Sequence, residues 1–375
     1  MRGPRAPRTA VTALVALLAA AATSTAASAE TFALTRPAAA TCVTDGNAVY
    51  SVQDGALHPV QGEFMIFPPG TAAFRPLVSE ASGGNPGQLL RMYAWSDEPL
   101  DSLTAEIGVV QPDRPGKPIL RTRGFRCGSL LGSQVWMVLV GIPPWEAPGQ
   151  YTLTLSAAAA TRSYLRLQPF TVSARPFSFE RIPLSGSLTE LVTVPDEQKT
   201  RESQILARVL STAHADAVYE SGPLTVPFLG ARRTSGYGDR REYDYSDGTK
   251  GSSIHLGVDI ASPEGTPVPA SGRGRVVFAA FRLLTGNTVI IEHLPGLFTV
   301  YYHLSALRAA VGEVVERGQV IGLVGMTGFA TGPHLHWEVE NLGSPVDPDA
   351  AAAAPLLDKR RDFFDIIGAA STEGR

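Results

Sequence analysis

Five of the seven histidines fall between residues 255 and 336, among residue types that bind metals or move protons. Three segments carry them: SSIHLGVDIASPEGTPVPA (252–270), VIIEHLPGLFTVYYHLS (289–305) and TGPHLHWEVE (331–340). In the first, His255 and Asp259 stand in H-L-G-V-D. On a helix the pair would share a face, but Gly257 among valine, isoleucine and proline opposes a helix. On a straight strand their α-carbons would lie ~13 Å apart at ~3.3 Å per residue. That is too far for two ligands that must each reach ~2 Å from one Zn²⁺. The pair converges only if the backbone bends between them, and a glycine at 257 permits the bend. His334 and His336 differ: two residues apart on a strand, they point to one face with α-carbons ~6.6 Å apart. Either both bind a metal, or one binds while the other works on water and substrate. Spacing alone does not choose.

A set of two histidines and one aspartate is a common catalytic-zinc composition, leaving a fourth position for water, whose pKa zinc lowers to ~7. A neutral histidine nearby can take or return protons. His303, in YYHLS, is a further candidate for such a role. His293, in I-E-H-L-P-G, reads as structural, and His58 and His214 as packed or surface residues. Each motif alone is weak; their joint occurrence in one small glycine-rich region points to a catalytic metal site.

These residues need a scaffold, and the composition favours strands. The chain has 375 residues with 37 glycines and 29 prolines, a turn-rich balance. Short strands are expected at 88–95, 134–142, 150–157 and 165–174, in an immunoglobulin-like β-sandwich spanning about 42–175. Residues 176–221 read as a linker with one helix, 195–213, in which Asp196 caps and Ile205, Leu206, Val209 and Leu210 form a packing stripe. The histidine-bearing domain covers 222–348, and 349–375 is a tail.

Residues 1–29 read as a signal peptide: Arg2, Arg5 and Arg8 precede the apolar run 10–22, and Ala27-Ser28-Ala29 is a cleavage site. The run is short for a bilayer-spanning helix, and no other segment looks membrane-spanning. An exported protein of the periplasm or extracellular cell envelope is expected. Cys42 lies too far beyond the apolar run to suit a lipid anchor. Without the three arginines the formal charge moves from −3 to −6 (−3 minus 3), which argues against nucleic acid as a partner. In an exported chain Cys42 and Cys127 could form a disulfide.

Residues 226–348 resemble the lysostaphin/LytM-type zinc metallopeptidases, which cut peptide cross-links in bacterial cell walls. The matching pieces are TSGYGDRR, HLGVDIASPEGTPVPASGRGRVVFA, GNTVIIEH, YYHLS, VGEVVERGQVIGLVGMTGFATGPHLHWEV and VDP, in family order. The upstream PFSFERIPL, the helix and the sandwich resemble the N-terminal region of one subgroup. The resemblance implies a mostly antiparallel β fold with a substrate groove and one Zn²⁺ per chain, held by His255, Asp259 and His336. It implies His334 as general base, His303 as the residue that polarises or stabilises the tetrahedral intermediate, and peptidoglycan peptide as substrate. Gly265, Gly274, Gly286 and Gly332 match family glycines, expected in tight turns. AAFRLLTGN (279–287) lacks the usual glycine-aromatic-glycine, and Trp337 replaces a phenylalanine. A tyrosine assists catalysis in some members; Tyr243 and Tyr245 are the candidates here. Relatives that have lost metal ligands activate cell-wall amidases instead, which is the alternative reading. The retained ligand set argues against it.

Overall fold

The computed structural model describes residues 41–45, 48–53, 56–59, 74–77, 83–96, 98–109, 118–130, 133–160 and 163–357. The expected signal peptide and tail residues 358–375 lie outside them, as does the side chain of Cys42. The chain is mainly β and divides into two compact units, meeting in sequence at Arg175 and Pro176. No helix among the described residues is long and apolar enough to cross a membrane.

The first unit is built from two sheets. One runs in the order Ala56–Pro59, Ala48–Gln53, Thr41–Asp45, Ser163–Val172, Gly149–Ala159, Leu100–Val109, Pro118–Arg123, with Gly83–Gly84 also paired to Ser163–Val172. The other runs Phe74–Leu77, Leu89–Ser96, Ser133–Gly141, Phe125–Leu130. Alternation explains their packing, because successive strand residues point to opposite faces. Tyr151, Leu153, Leu155 and Ala157 from one sheet meet Leu90, Met92, Ala94, Val138 and Val140 from the other in a single apolar core around Phe170. This is the two-layer packing of a sandwich; the sheet order does not by itself establish the immunoglobulin type. Cys127 is buried, with Sγ 3.5 Å from the Val135 carbonyl.

The second unit centres on an antiparallel sheet in the order Arg233–Ser235, Val258–Ala261, His334–Asn341, Leu297–Leu304, Gly286–Leu294, Gly274–Arg282, Val314–Val315, with Ser344–Val346 paired to His334–Asn341. Two three-stranded sheets are interleaved with it along the chain: Phe179–Pro183 with Arg240–Asp244 and Lys250–Ile254, and Pro267–Pro269 with Val320–Leu323 and Ala306–Leu307. Strand Leu297–Leu304 is buried at every position, so both faces of the central sheet are covered along this strand.

Helix Glu197–Ser211 supplies one cover. Asp196 caps it by accepting from the Gln198 N–H, and Leu206, Val209 and Leu210 pack on Ile290, Phe298, Val300 and Tyr302. Ile205, expected in that stripe, is instead exposed, since it lies about 100° around the helix from Leu206. Residues 176–221 also differ from a linker with a single helix. Gly186–Thr193 forms a second one, capped by Ser185, and Phe179–Pro183 pairs in parallel with Arg240–Asp244. Leu184, Leu188 and Val192 bury against Tyr243 and Phe329. This apolar contact organises a segment whose own pattern is too short to announce a helix.

The glycines matched as turn residues divide. Gly265 and Gly286 have positive φ, 82° and 63°, as tight turns require. Gly274 lies within a strand, and a Cβ there would stand 2.5 Å from the Glu292 carbonyl oxygen. Close approach explains that glycine. Gly332 shows neither feature.

Candidate metal centre

The central sheet brings the candidate residues together by register. Asp259 pairs with His336 and His336 pairs with Tyr302, so residues distant in sequence share one face across three strands. His255 arrives differently. Strand Lys250–Ile254 ends just before it and Val258–Ala261 begins three residues later, and that interruption is the bend the H-L-G-V-D spacing demands. Gly257 makes no use of positive φ. It is needed because a Cβ would stand 2.7 Å from Glu338 Cγ and 2.9 Å from His336 Nε2.

Three ligand-type atoms converge. His255 Nε2 lies 3.1 Å from Asp259 Oδ1 and 2.9 Å from His336 Nδ1, and His336 Nδ1 lies 2.8 Å from Asp259 Oδ1. All three residues are buried. Their outer partners settle which atoms carry protons. The Gly236 carbonyl accepts from His255 Nδ1 at 2.7 Å, leaving Nε2 with a lone pair. Glu338 Oε1 accepts from His336 Nε2 at 2.8 Å, leaving Nδ1 with a lone pair. Arg241 Nη2 donates to Asp259 Oδ2 at 2.7 Å, and Glu180 accepts from Arg241 Nε at 3.1 Å, leaving Oδ1 directed inward.

Three lone pairs within about 3 Å repel one another unless a positive charge sits among them. A proton on His336 can supply that charge when no cation does. Burial opposes charge on His336, but hydrogen bonds to Asp259 and Glu338 outweigh it and raise its pKa to about 9. Burial would raise Asp259, yet His255 and His336 hold it well below the usual carboxylate range. His255 is lowered, burial being the largest cause. Ligands ~2 Å from one tetrahedral ion stand roughly 3.3 Å apart, so the cluster has the composition and nearly the span of a three-ligand zinc site.

His334 and His303 flank the cluster. His334 Nε2 is 3.6 Å from Asp259 Oδ1, and its Nδ1 donates to the Gly332 carbonyl at 2.8 Å. The His303 ring centre lies 4.9 Å from that of His334, and its Nδ1 donates to the Thr327 carbonyl at 2.8 Å. His303 also has a left-handed backbone, φ 61°, a conformation that costs energy for any residue with a Cβ. Burial, then the charges of His334 and His336, lower its pKa to about 3. It is therefore neutral at pH 7, with its lone pair on Nε2.

The other candidates lie elsewhere. His293 is wholly buried, its Nδ1 donating to the Arg273 carbonyl at 2.8 Å and its Nε2 hydrogen-bonded to Thr299 Oγ1 at 2.7 Å, a structural residue. Tyr243 commits its hydroxyl to Ser253 Oγ at 2.9 Å. Tyr245 is half-buried and packs its hydroxyl over Gly251. Sequence reading missed Glu338, Arg241 and Glu180. Only Glu338 left a signal, as the next residue after His336 on the same strand face.

A mainly-β unit carries a buried His/Asp/His cluster that could hold a metal ion, ringed by hydrogen bonds that aim its lone pairs inward. The chain carries a peptidase family M23 domain: the model for that family matches residues 253–348. Among curated proteins, the DD-carboxypeptidase/endopeptidase Mpg of Neisseria meningitidis is 48% identical over 99 residues, covering 26% of this chain and 23% of the relative. The peptidoglycan DD-endopeptidase ShyA of Vibrio cholerae is 30% identical over 287 residues, covering 70% of this chain and 64% of the relative. The chain thus spans less than two thirds of the length of either. The solved catalytic domain of lysostaphin from Staphylococcus simulans is 33% identical and covers 32% of this chain and 89% of its own, with a TM-score of 0.27.

Proposed function

We propose that this protein is an exported zinc endopeptidase of the cell envelope that hydrolyses peptide bonds in peptidoglycan stem or cross-link peptides. One zinc per chain is held by His255 Nε2, Asp259 Oδ1 and His336 Nδ1. The observation that carries the reading is the convergence of those three lone pairs, each aimed by its own outer hydrogen bond. The family match and the relatives' names support the substrate class.

Bound there, zinc would supply Lewis acidity toward water and the scissile carbonyl. The protein's own groups supply the proton handling. His334, with Nδ1–H fixed on Gly332 O, presents a lone pair at Nε2 and acts as the general base for the attacking water. His303 presents Nε2 beside it and stabilises the developing oxyanion of the substrate. Its Nδ1–H is committed to Thr327 O, so the proton its neutral Nε2 needs for this is the one His334 takes from the attacking water, passed across the 4.9 Å between the two rings. The deep burial of the cluster keeps bulk water from screening these interactions.

The proposed organisation is a signal peptide at 1–29, an immunoglobulin-like module at 42–175 that positions the enzyme or covers its groove, and a peptidase domain at 222–348. The test is a digest of purified peptidoglycan by the purified protein, with released fragments read by mass spectrometry. Peptide-bond cleavage that a chelator abolishes and zinc restores is expected. No cleavage by the zinc-loaded protein, with stimulation of an added amidase in its place, would overturn the proposal.

A further inference from the structure

In strand His334–Asn341, alternation puts His334, His336, Glu338 and Glu340 on one face, and the last three are buried. We propose that Glu338 is the positioning residue of the metal centre: its carboxylate holds His336 Nε2–H and so directs Nδ1 at the metal. The inference rests on the reading of His255, Asp259 and His336 as metal ligands.

An imidazole has two ring nitrogens, and which of them binds a metal is set by the hydrogen bond the other makes. His255 solves this with a backbone carbonyl, Gly236 O. His336 lies inside a strand paired on both sides, to Asp259 and to Tyr302. Its Nε2 turns to a side chain, Glu338 Oε1 at 2.8 Å. The Tyr302 ring stacks on the His336 ring at 5.2 Å and 22°, which fixes the plane of the imidazole that Glu338 holds. Gly257 closes the remaining side, with no room for a Cβ against Glu338 Cγ or His336 Nε2.

Glu340 provides the internal control. It shares the face and the burial but does not contact His336, and its Oε2 has no hydrogen-bond partner among the described residues. A role specific to Glu338 separates the two; a general need for buried carboxylates on this strand does not.

The experiment measures zinc affinity of the full-length purified protein by competition with a chromophoric chelator. Glu338→Ala is expected to weaken zinc binding about 10- to 100-fold. Glu338→Gln keeps the volume and an accepting oxygen but not the charge, and is expected to fall between Glu338→Ala and wild type. Glu340→Gln is expected to match wild type. NMR of zinc-loaded, ¹⁵N-histidine-labelled protein supplies a second readout: a protected His336 Nε2–H in wild type, lost in Glu338→Ala. If the alanine variant does not fold, Glu338→Met, which keeps the volume without an accepting oxygen, carries both measurements. Wild-type affinity with an unchanged Nε2–H signal in the Glu338 variants would overturn the proposal. His336→Ala is measured alongside. If it loses zinc while the Glu338 variants do not, the positioning role alone fails; if it binds zinc like wild type, the ligand reading fails and takes the proposal with it.

Discussion

The two units bury strands by opposite means. In the first, the buried polar residues among those described are Ser96, Thr122 and Thr154, hydroxyls within an otherwise apolar core. In the second, one strand buries His336, Glu338, Glu340 and Asn341 beside partners that bury His255, Asp259 and His303. An apolar face needs only shape and volume. A charged face is stable only when its groups are paired, because an unpaired buried polar group costs ~1–3 kcal/mol or more. The first unit is thus constrained by shape and volume, whereas the second is also committed to a particular network of donors and acceptors. That commitment is what lets it hold three lone pairs against one another.

The contrast can be broken from either side. The largest stability effect is expected in the apolar unit, where Phe170 is fully buried. Phe170→Ala should cost about 3–5 kcal/mol in denaturant unfolding while leaving zinc content per folded chain unchanged. A loss of zinc in that variant would mean the two units are not energetically distinct.

A smaller effect tests the paired unit away from the metal. Burial lowers His293 from its ordinary 6.5 to about 4, so it is neutral in the fold, while the unfolded chain takes up a proton below about pH 6.5. The unfolded state then binds more protons, and stability present above pH 6.5 is lost progressively as pH falls toward 4. At ~1.4 kcal/mol per pH unit the loss approaches about 3 kcal/mol. Urea unfolding of chelated wild type and His293→Gln between pH 7 and 4.5 checks it. The variant should show the shallower pH dependence; parallel curves would remove His293 from the account.

The smallest effect concerns strain. With φ at 61°, His303 is in a region glycine occupies at little cost. His303→Gly should be more stable than His303→Ala by about 1 kcal/mol, although both lose activity. Equal stabilities would mean the backbone there is not strained.

Much of the site was legible in the sequence because its spacings are backbone arithmetic. H-x-H on a strand must share a face, and H-x-x-x-D must bend to converge; both follow from residue rise alone. The Asp196 cap and the strands around Met92, Leu139 and Leu153 were readable for the same local reason. What escaped depends on which strand lies beside which. Tyr302 and Asp259 meet His336 only through the sheet register, and Glu180 reaches Arg241 only because Phe179–Pro183 joins the neighbouring sheet. Gly257 was read as a hinge, but the packing of Glu338 and His336 against it is a tertiary fact. Helix Gly186–Thr193 was missed because eight residues with no charged first turn depend on what they pack against.

The central claim divides the histidines of one H-x-H: His336 holds the metal and His334 works on the water. Zinc content of purified wild type, His334→Ala and His336→Ala, read by elemental mass spectrometry, tests it directly. One zinc per chain is expected in wild type and His334→Ala, the latter with turnover of peptidoglycan reduced roughly 10²–10⁴-fold, and none in His336→Ala. Equal zinc in the two variants would contradict the division.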